Sequence, residues 1–388
     1  MMEDSPRHQI LSPLPPFFLS ALFLTAVLNG KQFLTNYQVA TEENPDSVQS
    51  RHLALEEKYA ENFLGKTNFL DGNGAFSLVI QNKYLNEALR LKNGHLVLLF
   101  DEVDTTPYVE EAEKFYQNLQ EIGLPFAYIQ APGKLPADDH QVVPTGFQTY
   151  YNSNSDQFLQ GLDSAHIPYL DLRETIQEQG LDHFSLFPVT DAHWTAEGAF
   201  WAYVEIARYL EELLGYSFLT EEYLSLDAFH VETYHNKWIG TTGQRTGIYF
   251  GGMDDFSIIT PKFETNYHAL VPEREWDIYG SFQDACLDMA FFHWGGNDDQ
   301  YSVYNYHEEY VKFTNFNAEN DLVLFLLRDS FAGPVASFLS LHFKEVHLFD
   351  SRHGAEAGDV LKKIKEVDAD VLLQLQTIGL NDPLFFLY

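Results

Sequence analysis

Cysteine and basic residues are scarce in this sequence. The 388 residues include a single cysteine, Cys286, so the chain can form neither an intramolecular disulfide nor a cysteine-based metal cluster. Lys and Arg number 23 against 57 Asp and Glu, which gives a formal net charge of -34. Because nucleic-acid affinity depends on clustered Lys and Arg, this balance argues against a nucleic-acid partner, and anionic lipid would also repel the folded part.

Several common ligand-binding signatures are also missing. The sequence contains neither a Gly-x-Gly-x-x-Gly string nor a Walker A loop, so nucleotide binding is not expected, and Gly72-x-Gly74 is interpreted as a turn. His307-Glu308 is not followed by a second histidine at the zincin spacing, which excludes a zincin helix. No cofactor and no metal are therefore predicted.

The N-terminal segment is uncharged and apolar. No charged residue occurs from Gln9 to Gly30, and Phe17 to Leu28 is almost wholly apolar. This pattern predicts that residues 1–30 form a signal peptide or a membrane anchor, that membrane contact is confined to residues 10–28, and that the protein is extracytoplasmic, either anchored or secreted. Residues 31–47 are polar and predict a linker, and an amphipathic helix is predicted over Val48 to Phe63.

The folded domain, expected over residues 48–388, alternates predicted strands and helices. The hydrophobic content of 45% is sufficient for a substantial core. The alternation predicts an α/β fold, a parallel sheet with flanking helices. The predicted strands are Leu96–Phe100, Pro125–Gln130, Ile167–Leu172, Leu322–Leu327, Val346–Phe349 and Val371–Leu375, and helices are predicted from Thr106 to Gly123, after Thr195, over Gly333–Leu341 and over Ala357–Val367.

Residues 216–320 interrupt this alternation. They are rich in aromatic residues and glycine, with short strand-like runs such as Ile248–Phe250, and predict a β-rich or irregular insertion. The aromatic residues are interpreted either as core or as a platform on which sugar rings could stack. They are Tyr301, Tyr304, Tyr306, Trp276 and Trp294.

Three residues could form a serine hydrolase triad. Asp191 and His193 lie two positions apart just before a predicted helix, and Ser330 directly follows a predicted strand. A serine hydroxyl needs an adjacent base, and that base needs a carboxylate to fix its tautomer. The spacing alone is not specific, because Asp138-x-His140 repeats it, and Ser330 could instead cap a helix. Asp227-x-x-His230 offers a further Asp and His pair.

Two stretches resemble a known family. They are Thr-Asp-Ala-His-Trp-Thr-Ala-Glu-Gly-Ala at 190–199 and Leu-Arg-Asp-Ser-Phe-Ala at 327–332, and they are similar to the DHHW-motif proteins and to the related alginate O-acetylation proteins of the SGNH hydrolase-like superfamily. The resemblance implies Ser330 as nucleophile, His193 as general base and Asp191 as orienting carboxylate. Because the serine block follows the Asp-x-His block, it also implies a circularly permuted SGNH-like, flavodoxin-like sheet.

The sequence departs from the family pattern at two positions. Ala192 replaces the first histidine of the DHHW string, and Arg328 stands where typical SGNH serine blocks carry glycine. The Ser330 amide is the expected oxyanion donor. Further oxyanion or substrate contacts are assigned to Gly243, Arg245, Asp329 and Arg328.

The resemblance implies an acyl transferase or esterase that moves an acetyl group onto or off a carbohydrate hydroxyl. Its partners would be a carbohydrate or acyl-donor substrate and a membrane acyltransferase. The alternative is a catalytically inactive surface module that binds polysaccharide or a protein partner. The sequence leaves transfer and hydrolysis equally open.

Overall fold

The computed structural model describes residues 29–30, 32–41, 65–137, 142–292, 300–304, 307–353 and 358–376. The apolar segment 10–28, the helix predicted over Val48–Phe63, and Asp138, Trp294 and Tyr306 lie outside the described residues. Within these ranges, no helix combines the length and the apolar character that crossing a membrane requires. Residues 32–41, inside the predicted linker, are helical. The chain divides into two compact units, Met1–Asn73 and Gly74–Tyr388. The three sheets and the site described below belong to the second.

The strands of the described residues form three sheets: a main sheet, a three-stranded sheet and a two-stranded sheet. They are β1 (Tyr84–Leu85), β2 (Ala88–Arg90), β3 (Leu96–Leu98), β4 (Phe126–Gln130), β5 (Tyr169–Asp171), β6 (Phe229–Trp238), β7 (Asp254–Pro261), β8 (Tyr267–Val271), β9 (Trp276–Gly280), β10 (Tyr310–Asn315), β11 (Val323–Arg328), β12 (Glu345–Phe349) and β13 (Val371–Gln376).

Helices precede or follow most of these strands. The α-helices are α1 (Lys66–Val79), α2 (Thr106–Ile122), α3 (Tyr151–Ser164), α4 (Leu172–Glu178), α5 (Ala196–Leu214), α6 (Thr241–Thr246), α7 (Ile248–Gly251), α8 (Phe282–Cys286), α9 (Ala332–Leu339) and α10 (Asp359–Val367). Short 3₁₀ helices cover His183–Leu186, Glu221–Leu224, Leu226–Ala228, Pro272–Arg274, Met289–Phe291, Gln300–Val303 and Ser351–His353.

The main sheet has eight strands in the order β5-β4-β13-β11-β12-β10-β8-β9. The pairs from β5 to β12 are parallel, and β10, β8 and β9 continue the sheet in antiparallel pairs. Counted from β11 through β12 and β13 and then to β4 and β5, the parallel part has the order 2-1-3-4-5 of flavodoxin-like folds. The α/β fold with a parallel sheet and flanking helices is thus confirmed, and its strand order is the permuted one.

The central strand β11 is buried on both faces. Leu324 and Leu326 pack in a hydrophobic cluster with Phe200 on α5 and Val335 on α9. Phe325 and Leu327 pack in a second cluster with residues of α2, α3 and α10. Because alternate side chains of a strand point to opposite faces, a strand covered by helices on both sides requires an unbroken apolar run. The run before Ser330 is therefore a consequence of the strand's central position.

Three further local predictions differ from the structure. Gly72 and Gly74, interpreted as a turn, lie within the helix α1. The run at Leu96–Phe100 forms a strand, β3, but β3 pairs antiparallel with β2 in the three-stranded sheet and is not part of the parallel sheet. The strand-like run Ile248–Phe250 is the short helix α7. Apolar runs of this length specify neither a pairing partner nor a choice between strand and buried helix.

Candidate active site

The carboxylate of Asp191 is completely buried and uses both oxygens. Oδ1 accepts a hydrogen bond from the His193 amide at 2.9 Å and lies 2.6 Å from His193 Nδ1. Oδ2 accepts from the Thr241 amide at 2.6 Å and from the Thr241 hydroxyl at 2.9 Å. Burial alone would raise the pKa of Asp191, but the neighbouring His193 and these hydrogen bonds outweigh it and hold the pKa well below its usual value. Asp191 is therefore a fixed anion facing the imidazole.

Two other side chains hold the segment before His193 in place. The carboxylate of Asp254, at the start of β7, accepts from the amides of Val189 and Thr190 at 2.6 and 2.7 Å. The buried ammonium of Lys134 donates to the carbonyl oxygens of Leu96, Val189 and Asp191 at 2.9, 2.8 and 2.6 Å. Burial lowers the pKa of Lys134 to about 7. The backbone on both sides of Thr190 is thus bonded to charged groups.

The imidazole of His193 lies between Asp191 and Ser330. Its Nε2 atom is 2.7 Å from the hydroxyl oxygen of Ser330. The ring stacks on Tyr301 with a centroid distance of 4.1 Å and an interplanar angle of 14°, and the Tyr301 hydroxyl donates to the Ser330 carbonyl at 3.1 Å. Thr195, two residues later, caps α5 by accepting from the Gly198 amide, as the sequence predicts. The cap and the aromatic stack fix the ring's orientation.

Ser330 follows the central strand β11 and precedes α9. Open α/β sheets place ligand groups at the carboxyl ends of strands, at the point where the strand order reverses, and β11 lies beside that point. The Asp329 carboxylate is buried and accepts from the Phe331 amide at 2.8 Å, which tightens the turn. The Ser330 amide makes no hydrogen bond to any described residue, so it is available as an oxyanion donor.

Arg328 is buried but does not line the cavity beside Ser330. Its guanidinium donates to the Glu308 carbonyl at 2.9 Å and lies 3.8 Å from the Asp350 carboxylate. Desolvation lowers its pKa, although the neighbouring Asp350 acts in the opposite direction. The arginine that replaces the family's glycine is thus part of a buried ion network and leaves Ser330 open. Asp329, likewise, supports the turn and does not line the cavity.

Gly243 and Arg245, assigned as oxyanion or substrate contacts, are also absent from the described residues that line the cavity. The Gly243 amide already donates to the Thr190 carbonyl at 2.7 Å. The Arg245 guanidinium pairs with Glu87 at 2.8 Å, and both side chains are largely exposed. The Gly-Thr-Thr-Gly stretch acts on Asp191 instead: Thr241 bonds the carboxylate, and a Cβ on Gly240 would lie 2.2 Å from the Asp191 Cβ.

The alternative Asp and His pair is not brought to this site. Asp227 and His230 are exposed, on the turn before β6 and on β6 itself. Asp138 and His140 lie outside the described residues. Of the candidate pairs that the structure describes, Asp191 with His193 is the one that contacts a serine hydroxyl.

A cavity of about 230 Å³ opens beside Ser330 and His193. We call it the site cavity. Its remaining described lining residues come mainly from β3, from the segment after β4 and from the start of α3: Val97, Leu98, Phe100, Gly133, Lys134, Leu135, Thr149, Tyr151, Ala192, Thr241 and Phe331. Ala192, where the family string has histidine, is part of this wall.

Sequence reasoning missed Lys134 and Thr241. Lys134 stands in the unremarkable string Gly-Lys-Leu, 57 residues from Asp191, and only the fold brings it to the Asp191 carbonyl. The closely spaced glycines Gly240 and Gly243 indicate that the backbone there packs closely against another segment. The sequence does not show that this segment is Thr190-Asp191. Within the described ranges, no group of three or more His, Cys, Asp or Glu side chains is arranged to hold a metal ion.

Comparison with known proteins agrees with this architecture. Residues 100–236 match the family described as SGNH hydrolase-like domain, acetyltransferase AlgX. Among curated proteins, none matches the sequence.

Solved structures extend the similarity over most of the chain. The structure of Bacillus cereus PatB1 is 20% identical and covers 76% of this chain and 98% of its own, with a TM-score of 0.64. The structure of PatB1 with a sulfonyl adduct is 19% identical, covers 77% and 96%, and has a TM-score of 0.60. A DHHW family protein from Eubacterium siraeum is 18% identical, covers 77% and 95%, and has a TM-score of 0.56.

These matches confirm the predicted resemblance to the SGNH hydrolase-like proteins related to alginate O-acetylation. The similar structures establish the fold, and the matched family supports an acyltransferase role at the level of the family.

Proposed function

We propose that this protein is a serine acyltransferase or esterase that carries the acyl group on Ser330. The observation that carries the proposal is the continuous hydrogen-bonded chain from the buried Asp191 carboxylate through His193 to the Ser330 hydroxyl, with distances of 2.6 and 2.7 Å. A carboxylate in this position fixes the imidazole tautomer and stabilises the imidazolium that forms during attack.

In the first half of the reaction, Ser330 Oγ attacks the carbonyl carbon of the acyl donor while its proton moves to His193 Nε2. The Ser330 amide stabilises the negative charge on the carbonyl oxygen. The bond between the acyl carbon and the donor's leaving oxygen or sulfur then breaks, and His193 returns the proton to that leaving group. The product is an acyl ester on Ser330.

In the second half, His193 takes a proton from an acceptor hydroxyl, which attacks the acyl carbon on Ser330. The Ser330 Oγ–carbon bond breaks, and the proton on His193 goes back to the serine oxygen. A sugar hydroxyl as acceptor makes the protein a transferase, and water makes it an esterase.

We propose a carbohydrate hydroxyl as the acceptor. A second cavity, of about 150 Å³, shares Tyr301 with the site, because the Tyr301 ring that stacks on His193 also forms part of its wall. Aromatic faces combined with a few polar groups suit a sugar ring. The described residues of this wall include Trp194, Trp238, Phe256, Tyr301, Tyr304, Thr233, Glu197 and Asp255.

The proposed setting is outside the cytoplasm. The uncharged segment Gln9–Gly30 supports a signal peptide or anchor, followed by a linker and by the catalytic domain from about residue 48. A membrane acyltransferase that delivers the acyl group to Ser330 is the partner that this arrangement would require if the donor is made inside the cell.

The test uses the full chain and its Ser330→Ala variant with aryl esters and a fluorophosphonate probe. We expect ester turnover and labelling for the natural chain, and loss of both, with turnover falling by several orders of magnitude, for the variant. Absence of turnover and of labelling in a correctly folded natural chain would instead favour the inactive surface module. Arg328, which departs from the family pattern, does not by itself favour that alternative, because it contacts Glu308 and Asp350 and does not line the cavity.

A further inference from the structure

The site cavity has a mostly hydrocarbon wall. Val97 and Leu135 are buried members of one hydrophobic cluster, and Phe331 belongs to the main core. Leu98, Phe100 and Ala192 add apolar surface. Ala192 is the position at which the DHHW string would place an imidazole, so this chain has an apolar group where its relatives' motif has a polar one.

The polar side chains on this wall, other than Ser330 and His193, have their polar atoms bonded inside the protein. The Lys134 ammonium uses its three hydrogens on three carbonyl oxygens, and the Thr241 hydroxyl donates to Asp191. The Tyr151 hydroxyl donates to the Ala131 carbonyl at 2.8 Å and accepts from Gln130 at 3.0 Å. The Thr149 hydroxyl oxygen accepts from the Phe100 amide at 2.9 Å.

A ligand group with its own hydroxyls or charges would therefore lose water in this cavity and gain few protein partners, such as the Thr149 hydroxyl proton. A hydrocarbon group has no hydrogen bonds to water to lose, and its binding constant rises by about fourfold for each methylene that is removed from water. The site cavity thus favours a hydrocarbon chain over a sugar ring. The carbohydrate acceptor would approach from the side of the second cavity.

On the basis of the proposed function, we infer that the acyl group carried by Ser330 is a saturated chain of roughly four to eight carbons, and that acetyl is a poor substrate. An apolar cavity of about 150 Å³ takes up benzene, which has six carbons. The site cavity, at about 230 Å³, is larger. An acetyl group would leave most of it empty or filled with water that finds few free polar partners.

The test measures kcat/KM of the full chain on p-nitrophenyl acetate, butyrate, hexanoate, octanoate and dodecanoate, whose leaving group is the same. We expect kcat/KM to rise by about fourfold per methylene, or roughly 250-fold over the four methylenes between acetate and hexanoate. It should fall again at dodecanoate, which exceeds the cavity. Ser330→Ala must lose the activity toward every ester, so that bulk hydrolysis is excluded.

Two variants of Leu98 locate the chain in the site cavity. Leu98 is only partly buried and lines the cavity, so Leu98→Trp fills the space and Leu98→Ala enlarges it. We expect Leu98→Trp to shift the optimum toward acetate and Leu98→Ala to shift it toward longer esters. The matched control is Leu99→Trp, because Leu99 is the next residue and does not line the cavity, although it packs against the same cluster as Val97 and Leu135. If the tryptophan variant does not fold, the alanine variant carries the test.

The outcomes separate the inference from the proposed function. Turnover that depends on Ser330 but is fastest with acetate, or an optimum that Leu98 variants do not move, would overturn the chain-length inference and leave the proposed function standing. Absence of turnover with every ester, together with absence of Ser330 labelling, would overturn the proposed function itself.

Discussion

The Nε2 atom of His193 lies 2.7 Å from the hydroxyl oxygen of Ser330, across a separation of 137 residues in the sequence. The other ring nitrogen lies 2.6 Å from the completely buried Asp191 carboxylate. If Ser330 only capped a helix, neither its contact with His193 nor the contact of His193 with Asp191 would be needed. These contacts therefore lead to specific predictions for Asp191 and for the residues that support it.

Asp191→Asn should lower kcat by roughly 10⁴-fold while the fold is retained. An asparagine side chain cannot accept at both positions, so its amide group would face either His193 Nδ1 or the donors of Thr241. The tautomer of His193 would then be wrong for taking the Ser330 proton. Ester hydrolysis measures the effect.

The control for this variant is Asp227→Asn, which changes the exposed member of the alternative Asp and His pair. We expect it to leave kcat unchanged. An equal loss in both variants, or full activity in Asp191→Asn, would show that Asp191 does not orient the base.

Thr241→Val should lower kcat by about 10- to 100-fold, because it removes one hydrogen bond to a buried carboxylate. The hydrogen bond from the backbone amide of residue 241 to Asp191 Oδ2 remains in this variant. Thr241→Ser keeps the hydroxyl and should retain most of the activity. Steady-state kinetics on one aryl ester compare the two, and equal rates in both variants would contradict the role assigned to the hydroxyl.

Lys134→Met should change the pH dependence of stability. Burial lowers the pKa of Lys134 from 10.5 to about 7, so between these values the unfolded chain binds a proton that the folded chain does not. The free energy of unfolding of the natural chain should therefore rise with pH, relative to the variant, by up to about 1.4 kcal/mol per unit above pH 7. Urea unfolding at pH 7, 8 and 9 measures this difference.

Lys114→Met is the control for the lysine experiment, since Lys114 is exposed on α2 and pairs only with Glu111 among the described residues. The difference in free energy of unfolding between Lys114→Met and the natural chain should stay constant over the same pH range. A constant difference for Lys134→Met as well would mean that the buried ammonium keeps its proton throughout.

The parallel part of the fold could be predicted from the sequence because its strands and helices are marked by residues within each element. β11 and β13 are buried and consist mostly of apolar residues, with Gln374 and Gln376 as the polar residues of β13. The helices α2 and α5 end at Gly123 and Gly215, which adopt the left-handed conformation. The positions of Asp191, His193 and Ser330 followed from these elements and from the resemblance to a known family.

What the sequence could not supply are contacts between distant segments. Nothing in the sequence around Lys134 indicates that its ammonium contacts the Asp191 carbonyl. The sequence likewise does not show that the Gly243 amide donates to the Thr190 carbonyl and so cannot serve as an oxyanion donor. The pairing of β3 with β2 also depends on neighbours that an apolar run does not specify. Each of these contacts arises from packing, not from residue pattern.

The most direct measurement of the central claim is the intact mass of the full chain after treatment with an aryl sulfonyl fluoride, followed by peptide mapping. Ser330, activated by His193 and Asp191, should take up one sulfonyl group. We expect one adduct per chain, located on Ser330 and absent from Ser330→Ala and His193→Ala. An unmodified chain, or an adduct that persists in Ser330→Ala, would contradict it.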